Sequence, residues 1–128
     1  MQQTLTFKVL EHHYGVAKLD SAALLPQWAT GGEFVSFTRT SEELSVVCEA
    51  ERIPSHVTSE TQWRILKIEA VLDFALVGIL AAVSTILARE AISIFVLSTF
   101  NTDYILIKED NLVKAIAVLL QEGHQVIS

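Results

Sequence analysis

The stretch "LDFALVGILAAVSTILAREAISIFVLSTFNTDYILIKE", Leu72–Glu109, decides the fold. Its first part places fifteen uncharged residues between Asp73 and Arg89, interrupted only by Gly78, Ser84 and Thr85. That is either a membrane segment or a helix covered by protein on most sides. A spanning helix needs roughly 20 apolar residues, and no basic cluster flanks this run to orient it. The segment therefore reads as a buried helix, covered by a sheet on one side and by another helix, a neighbouring unit or a second subunit on the other.

After the helix the pattern changes to strands. "ISIFVLSTF" (Ile92–Phe100) and "DYILIKE" (Asp103–Glu109) are rich in branched and aromatic residues and meet at the polar "NT", which predicts a hairpin. "EDNLVKAIAVLLQEG" then offers Asp110 or Asn111 as N-cap, an apolar stripe at Leu112, Ile116, Leu119 and Leu120, and Gly123 as a stop. "HQVI" closes the chain as a short strand, and "WRILKIEA" (Trp63–Ala70) supplies a strand before the first helix. The resulting order, βαββαβ, is the ferredoxin-like unit, with two helices on one face of an antiparallel sheet.

The first half follows a looser version of the same plan. "TLTFKVL" and "YGVAKLD" read as two strands across a turn at "EHH". Asp20 is placed to cap a short helix "SAALLPQWA" limited by Pro26, and "GEFVSFTRT" with "ELSVVCEA" make a second hairpin. "AERIPSHVTSETQ" reads as the linker. The expectation is an α+β protein with an abbreviated unit over 1–60 and a complete one over 61–128. A shift of sixty residues lays "TRTSEELSVV" on "STFNTDYILI".

Composition limits the function. With 128 residues, 51% hydrophobic and 19% charged, the chain can hold one compact domain or two small ones and is too apolar for disorder. The net charge of −6, with nine scattered Lys and Arg, offers no footprint for nucleic-acid phosphates. The single Cys48 cannot form an internal disulfide, and "MQQTLTFKVL" lacks the pattern of a secretory leader, so a cytoplasmic location is expected. No phosphate loop, GxGxxG or Gly-x-Ser-x-Gly occurs, and no nucleophile–base pair stands out, so no catalytic residue and no cofactor is assigned. His12, His13, His56 and His124 show no metal-ligand spacing and read as surface histidines, and Cys48 reads as a buried structural cysteine.

Taken together, "AISIFVLSTFNTDYILIKEDNLVKAI", the preceding "LDFALVGILAAV" and, in the first half, "FVSFTRTSEELSVVCEAERIP" resemble the small bacterial tandem ACT-domain proteins, from about Leu19 to Val126. They are also similar to the ACT repeats of the cytosolic arginine sensors. The resemblance implies two ferredoxin-like (ACT) units and a non-catalytic regulatory protein that binds a free amino acid at an interface between such units. It also implies a homodimer and a regulated protein partner. An alternative is a protein–protein interaction module of the same fold with no small-molecule ligand.

In such proteins the turn between first strand and first helix contributes to the pocket; here it matches Asp73–Ile79, with Val77 where relatives carry a small hydroxyl residue. Gly78 lets a ligand approach unpaired helix N–H groups, which favour a carboxylate; it serves equally for close packing. Asp73 is placed to cap the helix or to accept an ammonium group. Val77 and Ile79 flank the glycine. Thr99, Phe100 and Asp103 offer a hydroxyl, an apolar face and an acceptor in one turn, although "NTD" is also ordinary turn chemistry. The resemblance to arginine sensors points Asp103 toward a cationic side chain. Ser93 and Ile94 open a strand whose backbone is suited to pair with a second unit or to hold ligand.

Overall fold

A computed structural model of the chain describes residues 4–69 and 78–128. The strands are β1 (Thr6–Val9), β2 (Tyr14–Leu19), β3 (Ser36–Arg39), β4 (Leu44–Glu49), β5 (Ser59–Ile68), β6 (Ile94–Ser98), β7 (Asp103–Lys108) and β8 (Gln125–Ile127). The helices are α1 (Ile79–Arg89) and α2 (Leu112–Gln121). The chain divides into two units, one of His12–Trp63 and one in which the first eleven residues join Arg64–Ser128.

In the larger unit α1, α2 and the strands close one core. Leu66, Ile68, Ile105 and Ile107 meet Val83, Ile86 and Leu87 from α1 and Leu112, Ala115 and Leu119 from α2. The predicted βαββαβ order is present, with one addition. β1 lies between β5 and β8, antiparallel to the first and parallel to the second, so that Phe7 stands opposite both Ile68 and Val126. Alternation explains the fit, since Leu5 and Phe7 enter the core. By its contacts the N-terminal strand thus belongs with the larger unit. This placement corrects the expected pairing of "TLTFKVL" with "YGVAKLD": β1 takes the second half of the ten-residue β5 and β2 takes the first.

α1 is apolar in sequence yet not covered all round. Val83, Ile86 and Leu87 are buried, whereas Ala81, Ala82, Thr85 and Ala88 face outward. Small side chains leave that face with little apolar area to hide. No helix among the described residues is long and apolar enough to cross a membrane.

In the unit His12–Trp63, β4 lies between β2 and β3, and β2 also borders the first half of β5. Ala17, Leu44, Val46 and Cys48 form its core, joined by Trp28, Ile53 and Val57. The helix expected over "SAALLPQWA" is absent, replaced by a 3-10 turn at Gln27–Ala29. Pro26 removes an N–H and disfavours helical backbone just before it. The Arg39 guanidinium moreover donates to the carbonyl oxygens of Ser21 and Ala23, which a helix would have used itself. The predicted linker is likewise partly structural: Ile53 and Val57 pack into the core, and β5 already begins at Ser59.

Candidate functional site

α1 begins at Gly78, which adopts the left-handed conformation at φ +83°. A Cβ there would meet nothing within 4 Å, so conformation rather than packing demands glycine. Gly78 is exposed, its carbonyl accepts the Ala82 N–H at 2.9 Å, and as a glycine it brings no side chain of its own to cap the helix. Ile79 is half-buried and packs its side chain against the core, so it can offer a ligand only its backbone. Asp73 and Val77 lie outside the described residues.

The β6–β7 hairpin supplies the second part of the expected site. Its turn closes through the Thr99 N–H to the Thr102 carbonyl at 2.9 Å. The Thr99 hydroxyl donates to that same carbonyl at 3.1 Å and accepts the Thr102 N–H at 3.3 Å, so it is engaged in holding the bend. Phe100, 82% exposed, projects from the bend. Asp103 opens β7 opposite Ser98 and is half-buried. Thr102 is the residue that positions this turn: buried itself, it donates its hydroxyl hydrogen to the Ile68 carbonyl at 2.8 Å. That bond fastens the hairpin tip to the end of β5, the strand that leads toward α1. The sequence reading counts Thr102 only as a turn residue.

Ser93 is exposed just before β6, and Ile94 packs its side chain against the core. β6 pairs only with β7 among the described strands. Its outer edge therefore offers backbone groups, with no contribution from the Ile94 side chain.

A second polar group lies in the unit His12–Trp63. Glu49, at the end of β4 and 4% exposed, accepts the Glu33 N–H on Oε2 at 3.1 Å and the Arg52 Nε–H on Oε1 at 3.1 Å. Burial pushes its carboxyl upward, but the Glu33 N–H and the Arg52 guanidinium outweigh burial and hold it below the ordinary carboxylate value. Arg52 also donates to the Thr30 carbonyl at 3.2 Å. A Cβ on Gly32 would sit 2.4 Å from Glu49 Oε2, so glycine lets this loop close over the carboxylate. His12 Nε2 lies 3.9 Å from Oε2. Beside Glu49, Cys48 is buried, and burial pushes its thiol up to about 11 in spite of Arg52, as expected for a structural cysteine.

His124 departs from the surface role expected of it. It is buried, its Nδ1 accepts the Leu5 N–H at 3.0 Å, and its ring stands edge-on to Phe7. The partner it needs is the N-terminal strand, whose place beside β8 no local pattern reveals.

The geometry can be set beside known proteins. The ACT domain family model matches residues 58–121, and a second model, described only as an N-terminal domain, matches residues 12–56. The crystal structure of an Agobacterium tumefaciens protein is 37% identical, covers 98% of this chain and 94% of its own, and superposes with a TM-score of 0.93. The chain belongs to the ACT domain family. A Vibrio cholerae protein of unknown function, described as a possible transport protein, is 22% identical with a TM-score of 0.77, covering 92% of this chain and 89% of that one. The aspartate kinase of Clostridium acetobutylicum, described as an allosteric enzyme, is 12% identical with a TM-score of 0.64 over 87% of this chain and 33% of the kinase. These last two share the fold. No curated protein matches the chain.

Proposed function

We propose that this protein is a non-catalytic regulatory module that binds a free amino acid at an interface between ACT units. Membership of the ACT family supports a regulatory, small-molecule-binding role. The observation that supports the reading is the Thr102–Ile68 bond, which fastens the turn carrying Phe100 and Asp103 to the end of β5. A zwitterion needs an anion site, an acceptor for its ammonium group and a wall for its side chain. Gly78 and the helix start it opens offer N–H groups for the carboxylate, Asp103 the acceptor and Phe100 the apolar face.

The finer parts of the proposal follow from the resemblance. The first half, over 1–60, is read as an abbreviated ACT-like unit, and similarity to the arginine sensors makes a basic amino acid the first ligand to test against Asp103. A cytoplasmic homodimer joined through β6 would create the second wall. Binding between units then favours one arrangement over another, and this difference in affinity is what a regulated partner senses.

A ligand-free interaction module is the second reading, favoured by the 82% exposure of Phe100 at the tip of a hairpin whose strand β6 pairs only with β7 among the described strands. A thermal-shift panel of the twenty amino acids separates the two, because a saturating ligand stabilises the folded state. The first reading expects a concentration-dependent rise in Tm with at least one amino acid, weakened by Asp103→Ala. No rise with any of them supports the second.

A further inference from the structure

We propose that His12, Glu49 and Glu51 form a binding site for a divalent transition-metal ion of the zinc type. His12 precedes β2, Glu49 ends β4 and Glu51 sits in the 3-10 turn over residues 50–52, so nothing in their sequence spacing announces a site. The fold brings them together, since the Ala50 N–H donates to the His13 carbonyl at 2.9 Å and fixes that turn against the chain entering β2. One ligand atom from each of the three residues lies within 4.8 Å of the others.

The donor set is one imidazole and two carboxylates, which suits zinc with solvent completing the coordination. The 3.9 Å between His12 Nε2 and Glu49 Oε2 is too long for a hydrogen bond, and it leaves the imidazole beside the carboxylate without joining it. Ligand bonds of about 2.0–2.2 Å require the three donor atoms to close by roughly an ångström. His12 is partly exposed and Glu51 exposed, so both can make that movement by changing rotamer.

Glu49 supplies the fixed point. Its two oxygens are already oriented by the Glu33 N–H and the Arg52 guanidinium, the kind of outer hydrogen bonding that holds a ligating carboxylate, and each oxygen retains a lone pair. Electrostatics favours a dication as well: Glu49 and Glu51 place two negative charges side by side, and Arg52 offsets one of them. An ion bound here ties the start of β2 to the end of β4, so metal would stabilise this unit.

The test is titration of tag-free, chelator-treated protein with zinc and with cobalt, by calorimetry and by the visible absorption of cobalt. One ion per chain is expected at roughly micromolar affinity, with the intense bands of low-coordinate cobalt. His12→Ala and Glu51→Gln, both at exposed or partly exposed positions, each weaken binding at least tenfold while His56→Ala leaves it unchanged. Glu49 is left intact because it also holds the Gly32 loop. Absence of saturable binding, or binding that His12→Ala leaves unaltered, overturns the proposal. Circular dichroism of each variant confirms that its fold is retained.

Discussion

The Thr102 hydroxyl donates to the Ile68 carbonyl across 2.8 Å, fastening the tip of the β6–β7 hairpin to the end of β5. Thr102→Val keeps the shape and removes the donor, stranding a buried carbonyl, which costs about 1–3 kcal/mol. Thr102→Ser should retain most of the stability. Urea unfolding of the three proteins checks this, and equal midpoints for the threonine and valine forms would contradict it. If the turn and the end of β5 serve one pocket, the valine form also loses amino-acid affinity.

Gly78 is strained for any residue with a Cβ. Gly78→Ala should destabilise the protein by about 1–2 kcal/mol through the left-handed backbone, since no described residue crowds the position. Gly78→Asn, better tolerated at positive φ, should cost less. Thermal denaturation of both variants decides it.

The Glu49 cluster gives the stability curve an acid limb. Its carboxyl, ordinarily near 4.5, is held lower in the folded state, so the unfolded chain binds the proton first as pH falls. The contribution is complete above the unfolded value and disappears as pH drops through the lower folded value. Glu49→Gln should cost about 1–3 kcal/mol at neutral pH, with the gap to wild type closing in strongly acidic solution. A gap that stays constant from neutral to acid pH would show that the charge contributes nothing.

Cys48 should ignore thiol reagents in the native protein. Burial both shields it and pushes its thiol up to about 11, leaving little thiolate at neutral pH. Reaction with a disulfide reagent should be fast only in denaturant. Rapid stoichiometric labelling of native protein would contradict the packing of β4.

His124 secures the N-terminal strand. His124→Asn offers an amide oxygen where Nδ1 accepts the Leu5 N–H, whereas His124→Leu offers none, so the leucine form should lose about 1–3 kcal/mol. Amide exchange at Leu5 provides a direct local check: it should accelerate in the leucine form.

The larger unit was legible because its elements announce themselves locally. Apolar periodicity marks α1 and α2, and the polar "NT" marks the β6–β7 turn that Thr99 and Thr102 close. What escaped depends on contacts distant in sequence. Phe7 alternates like any strand residue, and nothing local shows that its strand lies between β5 and β8. The helix expected before Trp28 failed because Arg39, from another strand, takes the carbonyls of Ser21 and Ala23. Of the candidate site, the turn that carries Thr99, Phe100 and Asp103 was legible, whereas the use of the Thr99 hydroxyl on the bend and the fastening by Thr102 depend on geometry that the sequence does not show. His12 and Glu51 show no spacing toward Glu49, and only folding reveals that group.

The central claim is that the turn bearing Asp103 and the helix start at Gly78 hold a free amino acid. Isothermal titration of the purified protein with each of the twenty amino acids, basic ones first, addresses it directly. The account predicts saturable binding of at least one of them, weakened at least tenfold by Asp103→Ala, with circular dichroism showing the fold unchanged. Heats indistinguishable from dilution across the whole panel, or full affinity in the variant, would contradict it.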